Sequence, residues 1–182
     1  MKIKEIMIAA AKLLGIEQEI TAYCNGESEI CENAQILLDC FQEIESEIAL
    51  DYLPLIVEEE KSSGNGQYGY SAFENQVVRI IRVSDEWGNS LPFKLYARYM
   101  TTQPGKIKVT YTYSPKKKGL DDLSDFTVGV SQRVFAYGIA AAYSIVKGLY
   151  EEGEVWDKKY KDSLSAAVRE MRSKRMKGRV WV

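Results

Sequence analysis

The chain has no histidine, only three cysteines and four prolines in 182 residues, and no apolar run of the length that spans a bilayer. Without imidazole, Ser–His and Cys–His nucleophile systems are excluded. Cys24, Cys31 and Cys40 form an odd set with no CxxC pair. Three thiols alone fall short of the four N or S ligands of structural zinc, so they read as buried or half-buried thiols in a reducing compartment. The opening MKIKEIMIAAAKLLG is broken by charge and lacks a cleavage-type end, so it does not read as a secretory signal, and an intracellular chain is expected. The Gly-rich GNGQYG lacks the helix and the Lys-Ser/Thr that a phosphate-binding loop needs. The acidic runs Glu58-Glu59-Glu60 and Asp121-Asp122 lack the spacing of a Ca²⁺ loop and read as solvated surface. No catalytic constellation, metal site or cofactor site is expected.

What is present is ordinary globular material. An apolar share of 46% against 27% charged permits a buried core, and the length suits one domain or a compact body with one inserted lobe. The formal net charge of −2 hides an asymmetry: residues 1–60 carry a net −11 and the remainder a net +9. Either two solvated faces of opposite sign or identical subunits packed head-to-tail would accommodate such a separation.

Residues 2–14 put Ile6, Ala9, Ala10, Leu13 and Leu14 on one helical stripe that stops at Gly15. A short helical segment follows as far as Asn25-Gly26. Ser28 reads as an N-cap, and the spacing of Ile30, Ala34, Leu37, Leu38, Phe41, Ile44, Ile48 and Tyr52 predicts one long amphipathic helix stopped by Pro54. The middle changes period. LPLIVEEE, QVVRIIRVS, LPFKLYARYM and KIKVTYTYS predict β-strands, with turns at Asp85–Ser90 and Gln103-Pro104-Gly105. The acidic DDLSD then leads to a helix with the stripe Val130, Val134, Tyr137, Ala141 and Ile145. A last helix carries Trp156, Tyr160, Leu164, Ala167, Val168 and Met171. The expectation is an α+β fold. Residues 1–53 and 126–177 form one helical domain, residues 54–125 an inserted small antiparallel β-sheet lobe, and residues 178–182 a terminal arm.

Two features ask for partners. Twelve tyrosines, several in the strands beside Arg79, Arg82, Lys94, Arg98, Lys106 and Lys108, suit a base-stacking platform, a protein interface or simply a two-faced sheet. The last fourteen residues hold Arg169, Arg172, Lys174, Arg175, Lys177 and Arg179 against Glu170 alone, and finish on Val-Trp-Val. A helix dipole acts only over the last turn, so it does not account for the whole run. A nucleic-acid tail, a segment that docks in an acidic, apolar-lined groove of a partner, and a disordered tail without function all remain, and Trp181 favours docking.

The order of elements, with AAKLLG in the first helix and YGIAAAYSIVKGLYEEGEVWDKKYKDSLSAAVREM near the end, resembles the head-to-tail adaptor proteins of tailed bacteriophages. The tail tubular A or gatekeeper type of short-tailed phages is the most similar. Trp156, Tyr160, Leu164 and Ala167 match the aromatic-Tyr-Leu-Ala steps of that family's last helix. The resemblance implies a structural virion protein without enzymatic activity. It implies a homo-oligomeric ring of about twelve copies, fixed between the portal protein and the next tail or ring protein in the neck of the virion. Double-stranded DNA would pass through its channel without sequence recognition. Carried over, Arg172, Lys174, Arg175, Lys177, Arg179 and Trp181 become the portal-docking segment. The acidic second helix, with Glu29, Glu32, Asp39, Glu43, Glu45 and Glu47, becomes a subunit interface or a channel lining that repels DNA. The alternative is a nucleic-acid-binding or regulatory protein that uses the basic tail.

Overall fold

The computed structural model describes residues 1–27 and 31–173. Among them are five α-helices and two small antiparallel sheets of three strands each, an α+β fold with the sheets inserted between the helices. The chain divides into two compact units: Met1–Glu47 with Lys117–Val182, and Ile48–Lys116.

In the helical unit, α1 (Ile3–Leu14) ends at Gly15, whose N–H caps the carbonyls of Ala11 and Lys12. Its first free N–H groups are taken by the segment before the fourth helix: Ile3 N–H donates to Asp122 O and Lys4 N–H to Leu120 O, both at 3.1 Å. The buried face runs Ile3, Ile6, Met7, Ala10 and Ala11. That face is rotated from the expected stripe, which leaves Leu13 and Leu14 half-buried. The short α2 (Glu17–Cys24) buries Ile20. The expected N-cap, Ser28, lies outside the described residues, as do Glu29 and Ile30. Helix α3 (Glu32–Glu47) opens instead at Cys31, whose Sγ accepts the Ala34 N–H at 3.3 Å. The single long helix expected as far as Tyr52 is also corrected. Regular α-geometry stops at Glu47, and Ile48–Tyr52 forms a π-turn in which Leu53 N–H reaches Ile48 O at 2.8 Å, just before Pro54.

Helix α4 (Gln132–Val146) packs against α1, α3 and α5 (Tyr150–Ser173). A helix with three neighbours buries more than one stripe. Val134, Phe135, Ala136, Gly138, Ile139, Ala140, Ala141, Tyr143 and Ser144 are all inside, and Ile145, expected on the stripe, is 52% exposed. The small residues have a use at Gly138. A Cβ built there would stand 3.0 Å from Ile44 Cγ2 and 3.1 Å from Tyr160 Cδ2. The last helix buries Tyr160, Leu164 and Val168 on schedule, and leaves Met171 exposed.

In the sheet unit, β6 (Gly105–Tyr113) is the centre of a three-stranded sheet. It pairs along its whole length with β1 (Leu55–Ser63) and on its other side with β3 (Val77–Ser84). Side chains alternate along β6: Ile107, Val109 and Tyr111 point into a core with Tyr68, Phe73, Ile80, Val83 and Met100, and Tyr113 packs against it. The second sheet joins β2 (Gln67–Gly69), β5 (Tyr99–Thr101) and β4 (Lys94–Leu95). LPFKLYARYM is therefore two strands and not one. It folds back where Tyr96 N–H donates to Tyr99 O at 2.9 Å, and the two rings stack with centroids 4.8 Å apart.

Candidate interaction surfaces

Of the residues assigned to portal docking, Lys174, Arg175, Lys177, Arg179 and Trp181 lie outside the described residues, and Arg172 is described only as part of the backbone of α5. The acidic candidates are in view. Glu32, Asp39 and Glu43 are seven and four residues apart on α3, so they share one side of it, opposite Leu37, Phe41 and Ile44, and all three are exposed. Glu47 continues the row and is half-buried. Lys147 approaches Glu32 at 3.9 Å, and Gln35 donates to Asp39 at 3.2 Å.

Glu45 does not belong to that row. It is buried at 1% exposure, where its carboxylate accepts from Lys118 Nζ at 2.7 Å, Ser124 Oγ at 2.7 Å and the Asp125 N–H at 2.8 Å. Lys118 also meets Asp125 at 2.8 Å. This closed set of charge-assisted bonds ties residues 118–125 to α3 and satisfies a carboxylate that water cannot reach. It also takes one basic residue of the Lys116–Lys118 run out of the surface.

Nor are the acidic strand residues uniformly solvated. Glu58 and Glu60 face out, but Glu59 points inward. It accepts from Tyr111 Oη, from Lys61 Nζ at 2.6 Å and from the Glu74 N–H at 3.3 Å. Burial pushes its pKa up. The Lys61 and Tyr111 hydrogen bonds and the Glu74 N–H outweigh that and hold the carboxyl below the usual range. The Tyr111 phenol is pushed up to about 12, first by burial and then by Glu59. Tyr111 and Tyr68 are both enclosed, at 0% and 4% exposure, so the tyrosines do not form one open stacking platform.

The thiols offer no reactive centre. Cys31 donates to Glu19 Oε1 at 3.0 Å, and Asn33 holds the same carboxylate at 3.0 and 3.1 Å while accepting from Tyr143 Oη at 2.8 Å. Burial and the neighbouring Glu19 raise the Cys31 pKa, and burial pushes Cys40 up to about 12. A raised pKa keeps each as a thiol, the poor nucleophile. Among the described residues no group of three or more Cys, Asp or Glu is placed to hold a metal ion, and no helix is long and apolar enough to cross a membrane.

What remains is surface, and its apolar part is concentrated. At the turn from α4 to α5, Ile145, Val146, Leu149, Tyr150 and Val155 are between 47% and 67% exposed, with Glu151, Glu152 and Glu154 around them. In the sheet unit, Leu50, Ile56, Val78 and Ile81 are 47–59% exposed, and Trp87 is 84% exposed.

Sequence reading missed the strand residues in that second group. The register of β3 on β6 runs Val77, Arg79, Ile80, Arg82, skipping Val78 and Ile81. Each skipped residue is the extra one of a β-bulge, which turns an apolar side chain to the outside of an edge strand. The signal was there. VVRIIRV repeats apolar-apolar-Arg with a period of three, which no regular strand of period two can place on one face. Trp87 was read only as a turn residue.

A scan against protein-family models finds no match to this chain, and a search of curated proteins finds none.

Proposed function

We propose that the chain is a head-to-tail adaptor of a tailed bacteriophage: a structural ring of about twelve copies between the portal protein and the next tail component, extending the DNA channel. The observation that carries this reading is the concentration of exposed apolar side chains at the α4–α5 turn and on the sheet unit. Isolated surface leucines are normal, whereas clusters of this kind are the mark of protein contacts. The acidic side of α3, with Glu32, Asp39 and Glu43, fits a wall that lets a polyanion slide past without sticking. Residues 172–182, basic by sequence and ending on Val-Trp-Val, supply the portal contact in this scheme. The resemblance in the order of elements supplies the family; the surface supplies the need for partners.

The test is assembly. Light scattering on the full chain, alone and mixed with a portal protein of a short-tailed phage, is expected to give a portal particle enlarged by a ring. A chain ending at Met171 should fail to join it. No association in either condition overturns the proposal. If the full chain is instead retained on DNA in a salt-dependent way, and loses that on the same truncation, the role is nucleic-acid binding.

A further inference from the structure

The tight turn after β3 is built to hold a tryptophan in the open. Asp85 is 8% exposed, and its Oδ1 accepts the N–H groups of Trp87 at 3.0 Å and Asn89 at 2.8 Å. Asn89 Nδ2 returns to Oδ2 at 2.8 Å, and the Asp85 N–H closes the loop on Asn89 O at 3.0 Å. These bonds, the Asn89 side chain first, hold the Asp85 carboxyl below its usual pKa. Gly88 adopts φ 87°, which side chains disfavour, and its carbonyl accepts from Arg82. At its tip stands Trp87, 84% exposed. A fixed backbone under a large exposed ring is what an interface anchor requires, because little freedom is lost when the ring is covered.

The same strand carries a receptor. Its two bulges turn out Val78 and Ile81, and with Leu50, Pro54, Ile56 and Arg79 they line a groove of about 410 Å³. That lies within the roughly 300–1,000 Å³ of concavities that enclose one sizeable group. Arg79 supplies a positive rim, and Glu86, exposed beside Trp87, is the matching negative charge. The protein's own Trp87 is 84% exposed and is not among the residues that line this groove, and the Ser84–Ser90 bridge pins its turn beyond the end of the strand.

We propose that the Trp87 turn of one copy inserts into the Val78–Ile81 groove of the next, a knob-and-groove contact between sheet units. A contact joining two different patches is heterologous, and it yields a ring when its rotation closes. This inference rests on the ring reading and names residues that carry the subunit contact.

The full chain with a photoreactive phenylalanine analogue at position 87 tests it, using mixed heavy- and light-isotope copies, alone and with portal assemblies. Cross-links between copies are expected at Leu50–Ile56 or Val78–Ile81. Trp87→Ser, an exposed change that leaves the far-ultraviolet dichroism intact, should weaken assembly by about thirtyfold, the size of an anchor residue. Val78→Asp should do the same from the groove side. If rings form undiminished with Trp87→Ser, or the cross-links fall elsewhere, this contact is wrong and the ring reading stands. If the unaltered chain remains monomeric in both conditions, the ring reading fails and this contact with it.

Discussion

Ser144 lies fully buried in the middle of the helical unit, and its Oγ has no hydrogen-bond partner among the described residues. A hydroxyl stripped of water without compensation is a standing cost, and Ser is also a poorer helix former than Ala. Ser144→Ala should therefore stabilise the chain by about 1 kcal/mol and raise its unfolding midpoint by about 2–4 °C. A lower midpoint in a thermal scan would mean that the hydroxyl has a partner after all. Glu59 makes the opposite kind of statement. Its folded pKa is below the unfolded value near 4.3, so it contributes stability above that pH, and the contribution is lost as pH falls through the folded pKa. The protection factors of the β1 and β6 amides, normalised to the intrinsic exchange rate at each pH, should fall on acidification from pH 7 to pH 3, and Glu59→Gln should flatten that dependence. Equal protection at both ends of the range would remove Glu59 as the acid-sensitive group.

At the scale of elements, helices were legible where one stripe met one neighbour. Tyr160, Leu164 and Val168 lie on α5 where the three- and four-residue steps put them. The face of α4 was not legible, because a helix wedged among three others has no single stripe to read. Its small residues were the better clue. Gly138→Ala separates two effects of opposite sign: Ala favours a helix interior by up to about 1 kcal/mol, while overpacking costs about 1–3 kcal/mol. The new Cβ would meet Ile44 and Tyr160 at 3.0–3.1 Å, and both are nearly fully buried, so neither side chain has room to retreat. A net loss of about 1 kcal/mol is expected in denaturant titration; a gain would show that the contact relaxes freely. Strands were legible where alternation held, as in β6. They were misread where it failed: Ala97-Arg98 turns the chain between β4 and β5 without Gly or Pro to mark it, and the period-three run in β3 hid two bulges. The groove lies on the second of these irregularities, which is why period-two reading did not find it.

Over the whole molecule, the charge asymmetry read along the sequence changes meaning once the units are known. The acidic N-terminal helices and the more basic C-terminal ones share one unit. Ion pairs such as Lys118–Glu45 and Lys147–Glu32 neutralise part of the difference inside it. Residues 1–47 and 117–171 together hold 11 Lys/Arg against 19 Asp/Glu, a net −8, while residues 172–182 hold five basic side chains and no acidic one. Opposition therefore lies between the helical body and the last eleven residues, rather than between two halves. A net-negative body is repelled by DNA, and a basic end seeks an acidic apolar receiver; in the adaptor reading that receiver is the portal. The Debye length falls from about 10 Å at 0.1 M salt to about 3 Å at 1 M. Capture of the full chain on portal assemblies should accordingly drop steeply between those two conditions, and the chain ending at Met171 should not be captured at either. Capture that is indifferent to salt, or that strengthens with it, would assign the docking to apolar contact alone and leave the charge of residues 172–182 without a part in it.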